Sequence, residues 1–101
     1  MRLTEQEISV IREQAQRFFG NDVRVYLFGS RTDDSRRGGD IDLLLETSID
    51  DADRIFSLEM QFLAAVKSMI GEQKIDLIVD YPTLSERPPV YEHARQTGAL
   101  L

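Results

Sequence analysis

Apolar residues recur in two rhythms in this sequence, one with the period of a helix and one with the period of a strand. Ile8, Ile11, Ala15 and Phe18 return at three- and four-residue intervals, which puts them on one helical face. Thr4 followed three residues later by Glu7 makes a capping box, and Gly20 is a C-terminal stop, so the first helix is predicted over Glu5–Phe19. Asn21-Asp22 reads as a turn. Val23–Phe28 is rich in strand formers and is predicted as the first strand, and Asp40–Glu46 as the second. Thr47, Ser48 and the acidic run Asp50-Asp51-Asp53 open a second helix, where acidic side chains favour the dipole. Its apolar stripe is Ile55, Leu58, Phe62, Val66 and Met69, and Gly71 ends it. Lys74–Asp80 is the third predicted strand, closed by Tyr81-Pro82. Pro88-Pro89 precedes a short helix over Val90–Thr97, Gly98 stops it, and Ala99-Leu100-Leu101 is left as an apolar tail. Thr32–Gly39 is polar and carries two adjacent glycines, so it reads as a short helix and loop, or as loop throughout.

The resulting order implies an α/β fold with a small mixed sheet of about three strands flanked by helices. There is no internal repeat, low-complexity stretch or linker. A length of 101 residues supports one core, so residues 1–101 are read as a single domain.

Composition narrows the chemistry. There is no cysteine, hence no disulfide framework and no thiolate metal site, and a single histidine, His93, excludes a histidine-based zinc cluster within one chain. A net charge of −6 argues against direct binding of nucleic acid, which needs a basic face. It suits a basic protein partner through electrostatic steering. No apolar run is long enough to cross a bilayer and the first residues lack the apolar stretch of a secretion signal, so a cytoplasmic location without membrane attachment is expected.

The candidate chemistry lies in Leu27-Phe28-Gly29-Ser30 and, nine residues on (31 to 39), Asp40-Ile41-Asp42 leading into leucines. In a strand, residues i and i+2 share a face, so Asp40 and Asp42 project together, roughly 7 Å apart at their base. Their mutual repulsion is on the order of 2 kcal/mol at an effective dielectric of 20. A divalent cation turns that repulsion into binding, because hard cations take oxygen ligands. Taken alone, Asp-x-Asp is more often a solvated strand edge. The Gly-Ser turn before it and Asp76, set inside the apolar run Lys74-Ile75-Asp76-Leu77-Ile78-Val79, shift the balance toward a metal-dependent nucleotide site. Asp80 shares the face of Asp76 by period two, but it abuts Tyr81-Pro82 and is expected to be a solvated strand end. Arg31 is placed to contact a phosphate, with a surface position equally open to it; Arg36 and Arg37 are expected at the surface. Asp33 and Asp34 add negative charge near the proposed phosphate site, a departure from what such a loop calls for. His93 is expected at the surface, Tyr26 and Tyr91 in packing, and the three methionines as core filling.

Gly29-Ser30, Asp40-Ile41-Asp42 and Asp76 together resemble the nucleotidyltransferase superfamily that shares the palm fold of DNA polymerase beta. Within it the chain is similar to the minimal nucleotidyltransferases, over nearly its whole length. That resemblance implies transfer of a nucleoside monophosphate, AMP from ATP, to a hydroxyl. It implies Asp40, Asp42 and Asp76 as ligands of two magnesium ions, with Asp76 on the metal nearer the attacking hydroxyl. Gly29 and Ser30 would hold the triphosphate, assisted by Arg31. It also implies a hetero-oligomer in which the chain is the antitoxin of a helical HEPN-type ribonuclease toxin, with a tyrosine of that toxin as acceptor. Neutralisation by binding alone is the alternative. A stand-alone small-molecule nucleotidyltransferase is disfavoured by size, since members that modify aminoglycosides carry an additional domain.

Overall fold

In a computed structural model, the predicted capping box forms. The Glu7 amide donates to Thr4 Oγ1 at 3.0 Å and the Thr4 amide donates to Glu7 Oε1 at 2.9 Å. The structure describes residues 3–29 and 40–101. Ser30 and Arg31, and the readings of Thr32–Gly39, lie outside the described residues.

Helix α1 is Glu5–Phe19, strand β1 Arg24–Phe28, strand β2 Ile41–Glu46, helix α2 Ala52–Ile70, strand β3 Ile75–Asp80 and helix α3 Pro89–Thr97. The acidic run does open α2, with Asp51 as its N-cap: Asp51 Oδ1 accepts from the amides of Asp53 at 3.1 Å and Arg54 at 3.3 Å. A fourth strand, β4, comprises Ala99–Leu100. It pairs antiparallel with β1, Tyr26 opposite Leu100 and Leu27 opposite Ala99, and the Leu101 amide donates to the Val25 carbonyl at 2.8 Å. The apolar tail is therefore sheet, and the sheet has four strands rather than three. A two-residue strand carries no periodicity; the unpaired backbone along the outer edge of β1 recruits it.

Strand order is β3-β2-β1-β4, with β1 antiparallel to β2 and β2 parallel to β3 across α2. Alternation gives the sheet two unlike faces. Val25, Leu27, Ile41, Leu43, Leu45, Ile75 and Val79 point to one, where Ile11, Ala15 and Phe19 of α1 and Ile55, Phe62 and Val66 of α2 cover them. Phe19 and Phe62 meet edge to face, centroids 6.0 Å apart. Phe19 takes the fully buried place; Phe18, the stripe residue expected there, lies half-buried beneath the Arg17 guanidinium at 4.9 Å. Thr47 caps this layer from below, its hydroxyl donating to the Phe19 carbonyl at 2.8 Å. The methionines described are not core filling. Met60 and Met69 are each 49% exposed, because aromatic rings fill the space between the helices.

The second face carries Tyr26, Phe28, Leu44 and Ile78, against which Ala94 and Tyr91 of α3 pack. At its far end Glu46 and Asp80 face each other in register. Arg95 spans both, donating from Nε to Glu46 at 2.9 Å and from Nη2 to Asp80 at 2.7 Å, and Arg87 Nε adds a second contact to Asp80 at 2.7 Å. Asp80 is thus no solvated strand end: its side chain is 13% exposed and held by two guanidiniums. This clamp fastens α3 and the segment before it to the sheet. Arg95→Met is expected to lower stability by about 1–2 kcal/mol, because it leaves two half-buried carboxylates facing one another. Urea denaturation checks it, as a lower midpoint at unchanged slope. No helix among the described residues is long and apolar enough to cross a membrane.

Candidate functional site

The parallel register of β2 and β3 is locked at one end by the Ile41 amide, which donates to the Lys74 carbonyl at 3.0 Å. It sets Asp42 directly opposite Asp76, with Phe28 of β1 opposite Asp42 on the other side. Neighbouring strands lie about 4.8 Å apart, so two side chains on one rung and one face must meet. Asp42 and Asp76 therefore face each other on adjacent strands. Burial pushes the Asp42 carboxyl up from its ordinary 3.8; the neighbouring carboxylates of Asp76 and Asp40 push the same way, and Lys74 opposes them.

Asp40 stands two residues before Asp42 and on the same face by parity. Its Oδ2 lies 3.3 Å from the ammonium of Lys74, which is itself two residues before Asp76. The second face therefore bears carboxylates at both ends, treated differently. Glu46 and Asp80 are neutralised by arginines; Asp40, Asp42 and Asp76 meet, among the described residues, only the exposed Lys74. Among the described residues, repulsion is relieved by arginine forks at one end and met only by an exposed lysine at the other.

Gly29 follows β1 and adjoins this rung. Its φ is +75°, in the region that disfavours side chains, and a β-carbon there would collide with Asp42 Oδ2. A side chain at this turn would force the Asp42 carboxylate to move. The glycine expected on sequence grounds to allow close backbone approach is in place beside the carboxylates, and the following Ser30 and Arg31 fall outside the described residues.

The structure thus brings Asp42, Asp76 and Gly29 together, with Asp40 adjacent but engaged by Lys74. Among the described residues no group of three acidic or histidine side chains forms a ready cation cage. The donor set still fits a hard divalent ion. It consists of carboxylate oxygens, it is held under mutual repulsion, and its one described cation is a single exposed ammonium. Lys74 is the site residue that sequence reasoning missed. The signal was present, since positions 74 and 76 share a strand face, as 40 and 42 do. His93 and the clamp carboxylates take no part here. No protein-family model matches this chain, and neither does any curated protein.

Proposed function

We propose that this protein transfers a nucleoside monophosphate from a nucleoside triphosphate, ATP in the first instance, to a hydroxyl group. One observation carries the reading: two carboxylates, Asp42 and Asp76, face each other across a parallel rung, beside a glycine whose backbone closely approaches Asp42. Asp42 and Asp76, joined by Asp40, are the residues that would hold magnesium. When bound, two such ions stabilise charge on the attacking and leaving oxygens. In the reaction a bond forms between the acceptor oxygen and the α-phosphorus, the bond from that phosphorus to the bridging oxygen breaks, and pyrophosphate departs with the electron pair. Asp76, the more exposed of the pair, orients the acceptor hydroxyl and takes its proton. Gly29 lets the backbone approach the phosphates, and Asp42, half-buried between Phe28 and Asp76, fixes the geometry.

The acceptor is read as a hydroxyl of a docked protein. By the likeness to minimal nucleotidyltransferases, that protein is a helical toxin of the HEPN class and the acceptor a tyrosine, with the present chain as antitoxin. A second reading, neutralisation by complex formation alone, draws on the engagement of Asp40 by Lys74. Incubation with ATP, magnesium and the product of the neighbouring gene, followed by mass spectrometry, separates them. A gain of one or more AMP units on the neighbour supports transfer; a tight complex of unmodified masses supports binding alone. Magnesium with ATP at tenfold excess over Kd is expected to raise the Tm by roughly 5–10 °C. An unchanged Tm at millimolar concentrations of both counts against the nucleotide site.

A further inference from the structure

We infer that Lys74 is a built-in counter-ion of the aspartate site, competing with a divalent cation for Asp40 and so setting the threshold at which that cation binds. This rests on the metal-dependent reading above and goes beyond it, since nothing in that chemistry requires a lysine here. The argument begins with the register. Asp40 precedes β2 by one residue and Lys74 precedes β3 by one, so both flank the Asp42–Asp76 rung on its side chain face. The ammonium sits 3.3 Å from Asp40 Oδ2, and its field reaches Asp42 and Asp76 as well. Among the described residues one positive charge thus serves three negative ones, and it does so on a long stem whose side chain is 72% exposed. Such a charge holds Asp40 without burying it, and leaves it readily.

A structural ion pair is built otherwise in this same protein. The carboxylates at the far end of the face are gripped by planar arginine forks, half-buried, with several donors each. Lys74 grips with one contact in water. The contrast marks the Asp40 pair as exchangeable: a divalent ion that takes an Asp40 oxygen must first displace the ammonium, and it gains from the lysine's withdrawal. Lys74 therefore lowers affinity for the ion while keeping the three carboxylates compatible with a folded, cation-free protein.

The test is manganese binding by isothermal titration calorimetry on the intact chain without nucleotide. Lys74→Met is expected to bind Mn²⁺ roughly three- to tenfold more tightly than the wild type, from the loss of one positive charge within several ångströms of a divalent ion. Lys74→Arg, which keeps the charge, is expected to stay within about twofold of the wild type. In an Asp40→Asn background the gain from Lys74→Met should shrink below about twofold, because the lysine acts through Asp40. Equal affinities of wild type and Lys74→Met, or a full gain that persists with Asn at position 40, overturn the inference and leave the metal site intact. Binding by Lys74→Met alone, with none by the wild type, supports it in its strongest form. Absence of binding by every variant overturns the metal-dependent reading itself, and this inference with it. Thermal unfolding of each variant confirms that all are folded.

Discussion

Asp42→Asn is expected to reduce nucleotidyl transfer by on the order of 10³-fold and, in the same molecule, to raise stability at neutral pH. The first effect follows from chemistry. Loss of groups that merely support metal ligands lowers metal affinity or activity by about 10–100-fold, and a direct ligand aimed at the reacting centre carries more. The second follows from position. Asp42 is half-buried, faces Asp76 on its own rung and has Asp40 two residues away, so its negative charge is unwelcome in the folded chain. At an effective dielectric of 20 two charges roughly 7 Å apart repel by about 2 kcal/mol, and solvent screening at this partly exposed pair reduces that to about 1 kcal/mol. For a domain of this size the gain corresponds to roughly 4–8 °C in Tm.

The pH dependence gives the sign independently. The folded-state pKa of Asp42 is raised above the ordinary 3.8. A group raised in this way contributes its stability below the unfolded-state value and loses it as pH rises through the folded-state value. The wild type should therefore fall behind Asp42→Asn as pH increases from about 4 to 7, and the two should converge toward pH 3.8. Thermal melts across that interval, without divalent ions, check this. An Asn variant that is inactive and less stable at pH 7 would mean that the carboxylate is a structural hydrogen-bonding group, not a charge held ready for a ligand. A variant with undiminished transfer removes Asp42 from the mechanism.

Much of the architecture could be read from the chain because its signals are local. The Thr4–Glu7 box, Gly20 and Gly71 bound their helices where expected, and short apolar runs entered through aspartates mark β2 and β3. What could not be read depends on distant partners. Ala99–Leu100 is a strand only because β1 offers it an edge. Asp80 is paired because α3 swings Arg95 across the sheet, and Arg87 returns from the segment before it. Met60 and Met69 sit at the surface because Phe19 and Phe62 occupy the centre between the helices. The candidate site divides along the same line. That Asp40 and Asp42 share a face follows from period two. That Asp76 stands opposite Asp42 rather than Leu44 is a matter of register, which only the folded sheet specifies. The partnership of Lys74 with Asp40 follows from that same register.

Gly29→Ala is expected both to destabilise the protein and to disturb the candidate site. Two separate penalties meet at this residue. The backbone lies at φ +75°, where a β-carbon adds about 1–2 kcal/mol of steric strain. In addition, that β-carbon would collide with Asp42 Oδ2 and stand 3.1 Å from its Cγ. The Asp42 carboxylate must then rotate away or the turn must shift, and either movement breaks the pairing with Asp76 on which the proposed metal site depends. Together the penalties amount to about 2–3 kcal/mol, a fall of roughly 10–20 °C in Tm. A double-mutant cycle with Asp42→Ala separates them. In the Asp42→Ala background the collision is gone, so Gly29→Ala should lower stability only by the backbone strain. Gly29→Asn complements it: asparagine tolerates the left-handed region but keeps a β-carbon, so it should relieve the strain and retain the collision. If Gly29→Ala destabilises equally with and without the Asp42 side chain, the glycine is there for the turn alone. If the penalty shrinks when Asp42 is removed, the close approach of this turn to the aspartate is a built feature of the site, and the residue that follows β1 was selected as much for the carboxylate beside it as for its own backbone.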